Sequence, residues 1–169
     1  TSQPVATVEM TKDRSITAFF SEESYRLNLS SGLGGSVQGE GSFPHGSNVP
    51  IEAVANTGFT FSGWTGDGVV DASRSITTAL MTENRTITAS FSQNIYSLSF
   101  VAPSGGSLLG EGSFGHGSKA EISAFPNEGY SFSGWMGEGI SDINSSSTTI
   151  AMTSNRTISA SFVKKDYLL

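Results

Sequence analysis

An internal repeat of 71 residues, with no insertion or deletion, constrains this chain more than any other feature. Residues 58–64 read Gly-Phe-Thr-Phe-Ser-Gly-Trp and residues 129–135 read Gly-Tyr-Ser-Phe-Ser-Gly-Trp, which places Trp135 71 positions after Trp64. The same offset superposes further pairs: Tyr25 and Tyr96, Gly39 and Gly110, His45 and His116, Arg85 and Arg156. A repeat of this length predicts small structural units in series, each only marginally able to bury its own surface.

The 71-residue offset also indicates which part of a repeat each end of the chain corresponds to. Met10 falls on Met81 and Phe20 falls on Phe91, so the N-terminal residues align with the last third of a repeat. Tyr167 aligns with the tyrosine of a repeat's opening strand. We therefore expect a segment of a longer array, divided into the C-terminal part of a preceding repeat, two full repeats and the start of a further repeat: residues 1–23, 24–94, 95–165 and 166–169.

Polar and apolar residues alternate within each repeat, which is the pattern of half-buried β-strands. Leu27 and Leu29, for example, alternate with Asn28 and Ser30. Six short strands per full repeat are predicted, at about residues 25–30, 35–43, 48–55, 58–64, 75–81 and 86–92 of the first repeat. No segment combines a sustained helical period with caps, so the predicted fold class is all-β, with tandem small antiparallel β domains.

The last two predicted strands of each repeat are expected to form an antiparallel hairpin. Met81 shares an apolar face with Ile87 and Ala89 across a turn at Glu83-Asn84, where Asn tolerates the left-handed conformation of hairpin turns. The partial N-terminal copy repeats the pattern with Val8, Met10, Ile16, Ala18 and Phe20. An isolated hairpin is not stable in water, so we expect this copy to be ordered by packing on a neighbour.

Composition excludes several classes of function. The chain has no cysteine, so neither a disulfide nor a thiolate metal site is available, and packing must hold the fold. Its nine Lys and Arg residues form no basic cluster larger than the pair Lys164-Lys165 and its formal net charge is −6, which argues against binding to nucleic acid or to an anionic membrane. No apolar run reaches the length of about eighteen residues that a membrane helix requires.

Five motifs follow one another in each full copy: Tyr-x-Leu, Gly-Gly-Ser, Gly-x-Gly-x-Phe-x-x-Gly, Gly-(Phe/Tyr)-x-Phe-x-Gly-Trp-x-Gly and Met-Thr-x-Asn-Arg-Thr-Ile-x-Ala-x-Phe. In this order they resemble the divergent internalin-type B repeats of bacterial secreted and surface proteins. The resemblance covers both full copies and the partial N-terminal copy. It implies an extracellular, non-catalytic module that occurs in tandem, with a fold similar to a small β-grasp, although the helix of that fold is not evident in this sequence.

Trp64 and Trp135 are the residues for which a structural role and a binding role compete most closely. Exposed aromatic rings bind sugars and form interface hot spots, so these two residues, with Tyr25 and Tyr96, are the candidates for carbohydrate binding. Each Trp follows an alternating aromatic strand, however, with Phe-x-Phe in the first copy and Tyr-x-Phe in the second, and this position favours a ring that fills one end of a small core. Core packing is the preferred interpretation of both Trp residues.

Two acidic, glycine-rich loops are weak candidates for a calcium site. Asp67 and Asp71 lie in the first loop, and Glu138 and Asp142 occupy the same positions in the second. Calcium takes about six to eight oxygen ligands, and two carboxylates per loop fall short of that number. A solvated loop is therefore favoured, and no metal is predicted.

Two further patterns have simple structural interpretations. His45 and His116 are each alone in a repeat and followed by Gly, which favours a turn residue hydrogen-bonded to backbone over a metal ligand or a general base. Residues 110–115 match the dinucleotide pattern G-x-G-x-x-G, but no amphipathic helix follows them, and Pro44 replaces the last Gly in the first copy. No cofactor is predicted.

Two functions from different classes remain. The leading one is a spacer or stalk in a bacterial adhesin or secreted multidomain protein, because no constellation of residues departs from the repeat pattern. The alternative is a carbohydrate- or cell-surface-binding module appended to an enzyme or adhesin, acting by avidity across copies. The expected partners are neighbouring repeats of the same chain and, in the alternative, a polysaccharide or cell-surface glycan. Catalysis is not expected, because catalytic residues would have to appear in one copy or bridge two.

Overall fold

The computed structural model describes residues 5–166, which contain fourteen β-strands and no helix. In the first repeat the strands are β1 (Ser24–Ser31), β2 (Gly35–Gln38), β3 (Gly41–Pro44), β4 (Ser47–Ala55), β5 (Phe59–Thr65), β6 (Ile76–Met81) and β7 (Arg85–Gln93). In the second repeat they are β8 (Ile95–Phe100), β9 (Gly106–Leu109), β10 (Gly112–Gly115), β11 (Lys119–Pro126), β12 (Tyr130–Met136), β13 (Ser147–Ala151) and β14 (Arg156–Lys164). The predicted all-β fold class and tandem organisation are confirmed.

Each full repeat is built from two β-sheets. In the first repeat the four-stranded sheet has the order β3-β1-β7-β5, and the three-stranded sheet has the order β2-β4-β6. The second repeat has the equivalent sheets, β10-β8-β14-β12 and β9-β11-β13. Most neighbouring strands are antiparallel, but β1 pairs in parallel with β7, and β8 pairs in parallel with β14. The sequence patterns did not predict this parallel pair, which brings the first and last strands of a repeat together at the centre of the larger sheet.

One apolar core lies between the two sheets of each repeat. In the first repeat the larger sheet contributes Leu27 and Ile87 and the smaller sheet contributes Ile51 and Met81, all almost fully buried. The second core contains the equivalent residues Leu98, Ile158, Ile122 and Met152. Successive side chains of a strand point to opposite faces, so alternation in the sequence buries one row of side chains per strand. Each repeat therefore has a complete core of its own.

The predicted hairpin between β6 and β7 is wrong. β6 pairs with β4 in the smaller sheet, whereas β7 pairs with β1 and β5 in the larger sheet, so the chain crosses between sheets at residues 82–84. Met81 and Ile87 do share one core, but they reach it from opposite sheets. Asn84 has no left-handed backbone conformation. Instead, its Oδ1 atom accepts a hydrogen bond from Arg26 N at 2.8 Å, which attaches the crossing to β1.

A second crossing divides the predicted strand at residues 35–43 into β2 and β3. β2 pairs with β4 of the smaller sheet and β3 pairs with β1 of the larger sheet. Gly39 lies between them with a φ angle of +118°, and a Cβ atom there would lie 2.5 Å from Pro50 O, so a side chain does not fit. The Oε1 atom of Glu40 accepts a hydrogen bond from Leu29 N at 2.9 Å, where β3 no longer pairs with β1. The Gly-x-Gly motif therefore marks the point at which the chain crosses from the smaller sheet to the larger sheet.

The N-terminal segment, residues 5–23, forms no strand. Its large apolar side chains are exposed: Val5, Val8, Met10, Ile16, Phe19 and Phe20. The expected hairpin, packed on a neighbour, is therefore wrong within this chain. The segment aligns with β6 and β7, which pair with β4, β1 and β5 rather than with each other, and it contains no equivalents of those three partners. The assignment of residues 1–23 to a preceding repeat stays a prediction, and the predicted repeat start at Tyr167 lies outside the described residues.

Candidate functional site

A β-bulge in β5 places Trp64 in the core. Phe61 pairs with Phe91 of β7, but the next residue in register is Gly63, which pairs with Ser90. In a regular strand Phe61 and Trp64 would point to opposite faces. The extra residue turns both rings to the same side, where their centroids are 5.7 Å apart.

Both Trp side chains are buried, with 4% exposure for Trp64 and 3% for Trp135. The indole Nε1 atom of Trp64 donates a hydrogen bond to Arg74 O at 3.0 Å, and Nε1 of Trp135 donates to Ser145 O at 2.9 Å. Stacking on a sugar requires an open ring face, and neither indole has one. The carbohydrate-binding alternative for these two residues does not hold in this structure.

Tyr25 and Tyr96 are half-buried, and each packs against the histidine of its own repeat. The ring centroids are 5.7 Å apart for Tyr25 and His45, and 5.9 Å apart for Tyr96 and His116. The Tyr25 hydroxyl donates a hydrogen bond to Glu23 Oε2 at 3.0 Å, which is the main reason that the pKa of Tyr25 lies above its ordinary value. The two tyrosines therefore belong to the His-Gly turns rather than to a row of exposed rings.

The acidic loops are held by their own hydrogen bonds. Asp71 Oδ1 accepts hydrogen bonds from Ser73 Oγ at 2.7 Å and from Ser73 N at 3.0 Å, and these bonds hold the pKa of Asp71 below its ordinary value. Asp142 Oδ1 likewise accepts from Asn144 N at 2.9 Å. Both carboxylates thus stabilise the turns in which they lie.

Asp67 and Glu138 lie near the arginine that begins the last strand of each repeat. Asp67 lines a hollow of about 190 Å³ together with Glu83 and Arg85. Glu138 Oε2 lies 3.8 Å from Nη1 of Arg156. Within residues 5–166, no three histidine or acidic side chains form a group that could hold a metal ion. The structure therefore does not assemble the four candidate carboxylates into a calcium site in the described part of the chain.

Arg85 and Arg156 recur in the sequence motifs, but the sequence analysis assigned them no structural role. The Arg85 side chain is only 9% exposed, its Nε atom donates to Leu80 O at 2.6 Å, and its Nη2 atom donates to Thr82 Oγ1 at 2.8 Å. Arg156 makes the equivalent two bonds in the second repeat. These bonds fix the crossing from the smaller to the larger sheet. The available signal was the recurrence of an arginine at the same position of both turns.

The two repeats are joined by one residue, Asn94, between β7 and β8. Asn94 N donates a hydrogen bond to Gly58 O of the first repeat at 2.8 Å, and Asn94 O accepts one from His116 N of the second repeat at 2.8 Å. The Asn94 side chain also accepts a hydrogen bond from Thr60 Oγ1 at 2.7 Å. The linking residue is thus bonded to both repeats, which restrains their relative orientation.

His116 packs against the first repeat. A Cβ atom at Gly58 would overlap with the His116 ring, so the glycine leaves the space in which the imidazole lies. Gly58 is buried although it lies in a turn, and Gln93 Nε2 donates a hydrogen bond to His116 O at 3.0 Å. His116 is a turn residue, as predicted. Its Nδ1 atom is buried without a partner among the described residues, so the expected bond from the imidazole to backbone is not made there.

The junction could not be recognised by a search for reactive side chains. It consists of two turns, the backbone of a linking residue and one imidazole ring. The signal that the sequence carried was the coincidence of two recurring pairs, because Gly58 recurs as Gly129 and His45 recurs as His116. Both pairs lie in turns, so their recurrence alone did not identify a contact between repeats.

The sequence matches the family described as divergent InlB B-repeat domain over residues 25–95 and 96–166. The chain belongs to this family, and the two matches correspond to the two full repeats of the structure. No curated protein and no solved structure matches the chain. Within residues 5–166 there is no helix of the length and apolarity needed to cross a membrane.

Proposed function

We propose that the chain is a non-catalytic spacer of a bacterial extracellular protein, in which tandem repeats hold an adhesin or another domain away from the cell. Its family supports a bacterial surface repeat module. The observation that carries the spacer role is the junction at Asn94, where one residue joins two units that each have a complete core. A spacer needs stable units joined by a short connection, because a long flexible linker would allow the carried domain to return to the cell surface.

The polar framework of the repeats supports a structural rather than a catalytic role. Glu40, Asn84 and Arg85 all bond to backbone atoms at the two crossings between sheets. The same bonds recur in the second repeat. Side chains that hydrogen-bond to backbone atoms in both copies are unavailable for chemistry on a substrate.

A carbohydrate-binding module would need an exposed aromatic row that recurs with the repeat. The two Trp rings are buried and the two candidate tyrosines pack on histidines, so the residues that motivated this alternative do not supply such a row. We therefore infer that the chain binds neighbouring repeats rather than a glycan.

Residual dipolar couplings of the full chain test the spacer proposal. Couplings from residues 24–94 and from residues 95–165 are expected to fit a single alignment tensor, because Asn94 and His116 hold the repeats in one orientation. The matched control is an insertion of Gly-Ser-Gly-Ser after Asn94, which should separate the two tensors while leaving both repeats folded. Two different tensors for the unmodified chain would contradict a rigid spacer.

A further inference from the structure

Each repeat begins and ends with the two strands that pair in parallel at the centre of its larger sheet. Residues 27–31 of β1 pair with residues 85–89 of β7, and residues 98–100 of β8 pair with residues 156–158 of β14. We call these the terminal pairs of the first and second repeats. All other strands of a repeat lie between the two members of its terminal pair in the sequence. A terminal pair therefore closes the whole repeat.

Tension along the array would act on a terminal pair in shear. The chain passes from the end of β7 through Asn94 to the start of β8, so neighbouring repeats pull on the last strand of one repeat and on the first strand of the next. Because the first and last strands of a repeat are parallel, the two pulled points lie at opposite ends of the pair. The evenly spaced hydrogen bonds between the strands then bear the tension together. In an antiparallel pair the pulled points would lie at one end, and the bonds would break one after another.

The terminal pair of the first repeat is shielded from water. Leu27 and Ile87 extend from its two strands into the core, and both have 0% exposure. β3 and β5 flank the pair on either side in the sheet. On the opposite face, Ser30 Oγ and Thr88 Oγ1 form a further hydrogen bond of 2.7 Å between the two strands. Water therefore has little access to the backbone bonds that the tension would load.

The terminal pair of the second repeat is shorter, and a proline explains the difference. At the end of the first terminal pair, Gly32 N donates a hydrogen bond to Ala89 O at 3.1 Å. Pro103 is equivalent to Gly32 and has no N–H to donate. The pairing in the second repeat ends at residue 100, where Val101 N donates to Ile158 O at 2.9 Å. The first terminal pair therefore has five residue pairs and the second has three.

We propose that the terminal pair of each repeat resists mechanical tension, so that the array transmits a pull from the domain it carries to the cell without unfolding. The proposal rests on the spacer role, which places the repeats between two attached bodies. It adds a direction to that role, because one repeat should resist tension between its ends and yield easily when its terminal pair is peeled open.

Pulling on single molecules of the full chain at constant force tests this resistance. The chain has no cysteine, so two introduced cysteines define where the handles attach. Handles at Ser24→Cys and Ser92→Cys load the first terminal pair in shear, whereas handles at Ser24→Cys and Glu83→Cys peel it open from one end; all three positions are exposed. The lifetime in shear should be at least about tenfold longer at the same force, because several hydrogen bonds must break together. Equal lifetimes would overturn the proposal.

The length released in shear identifies the element that yields. The segment from residue 24 to residue 92 spans at most about 220–245 Å when fully extended, at roughly 3.3–3.6 Å per residue. If the terminal pair holds the repeat closed, the first event should release this whole segment in one step, less the distance between the handles in the folded repeat. A first step of less than half that length would show that another part yields earlier, against the proposal.

Gly32→Pro and Gly32→Ala are matched variants at the end of the first terminal pair. The φ angle of Gly32 is not positive, and a Cβ atom there would lie 3.8 Å from Ala89 O, so alanine fits and keeps the N–H donor. Proline removes that donor. Relative to alanine, it should shorten the lifetime in shear roughly two- to tenfold, the effect of one hydrogen bond.

The same two variants separate resistance to shear from general stability. Peeling begins at the other end of the pair, near residue 85, so the lifetime in peeling should be the same for Gly32→Pro and Gly32→Ala. Equal lifetimes of the two variants in shear would contradict the proposal. A decrease of the same size in both geometries would also contradict it, because a loss of stability alone explains that result.

The second repeat provides an internal comparison. Handles at Ile95→Cys and Val163→Cys occupy the positions equivalent to Ser24 and Ser92, and both side chains are more than half exposed, at 61% and 51%. The second terminal pair has three residue pairs rather than five, so its lifetime in shear should be shorter at the same force. An equal or longer lifetime would mean that the terminal pair does not set the resistance.

These measurements can fail independently of the spacer role. They load one repeat at a time, so they do not depend on the relative orientation of the two repeats. A single alignment tensor together with equal lifetimes in shear and in peeling would leave the spacer role in place and overturn the resistance to tension. Two tensors together with direction-dependent lifetimes would overturn the rigid spacer alone.

Discussion

Replacement of Trp64 by alanine should destabilise the first repeat by about 3–5 kcal/mol, the usual cost of truncating a large aromatic side chain in a core. The ring is 4% exposed and packs edge-on against Phe61 with centroids 5.7 Å apart, so its removal leaves a cavity between the sheets. A unit of 71 residues has a stability of about 4–11 kcal/mol, at roughly 0.05–0.15 kcal/mol per residue. The substitution therefore removes a large share of the stability of its repeat.

Urea unfolding with residue-specific readouts measures this loss. Amide resonances of Ile87 and Ile158 report the two cores separately, and Trp135 fluorescence reports the second repeat alone in this variant. The first repeat should unfold at lower urea, while the second repeat should change by less than about 0.5 kcal/mol, because its core is complete.

Trp64→Phe is the matched control. It keeps an aromatic ring in the core but removes the Nε1 donor to Arg74 O, so we expect a smaller loss of about 1–3 kcal/mol. A loss below about 1 kcal/mol for Trp64→Ala would refute the inference that the ring fills the core. An equal loss of stability in the second repeat would refute the independence of the two cores.

Three further predictions concern other parts of the fold. Arg85→Ala should cost about 1.5–3 kcal/mol in urea unfolding, because the nearly buried guanidinium donates a hydrogen bond to Leu80 O at the crossing between sheets; an unchanged midpoint would contradict this. Ser73→Ala should raise the pKa of Asp71 toward its ordinary value in an NMR titration, because it removes the largest cause of the lowered pKa. The hydrogen bonds from Ser73 favour the ionised form of Asp71. Their contribution to the stability of the first repeat is therefore present above the ordinary pKa of Asp71 and is lost as the pH falls through its lowered pKa. Deletion of residues 1–20 should leave the Tm of both repeats unchanged in calorimetry, because the described part of that segment forms no strand; a lower Tm would show that it packs on the repeats.

The alternation of apolar residues identified the strands because it depends only on which side chains face the core. The first predicted strand, residues 25–30, lies within the observed Ser24–Ser31. Alternation could not identify strand partners, since a strand in either sheet of a two-layer repeat shows the same pattern. Met81 and Ile87 face one core from two sheets. A hairpin and a crossing between sheets therefore have the same sequence pattern on either side of a short turn.

The junction between the repeats was not predicted, for a different reason. Motif searches look for side chains that carry chemistry, whereas the junction uses the backbone of Asn94, the absent side chain of Gly58 and the ring of His116. Trp64 is the opposite case, because its position after a Phe-x-Phe strand indicated a core residue. The bulge that turns its ring inward was not predicted, although Gly63 directly before it is the residue type that such bulges favour.

The contacts within and between the two repeats lead us to expect that neighbouring repeats keep a fixed relative orientation but unfold separately. Each core is made from residues of one repeat only, so most of the stability is intrinsic to that repeat. The junction adds a few hydrogen bonds and one imidazole ring, so the coupling between neighbours is small compared with the stability of a core. We therefore expect that unfolding of one repeat by heat or force leaves its neighbour folded. Because Asn94 and His116 link the repeats while each core lies within one repeat, we expect that repeats can be added or lost with little effect on the stability of the rest.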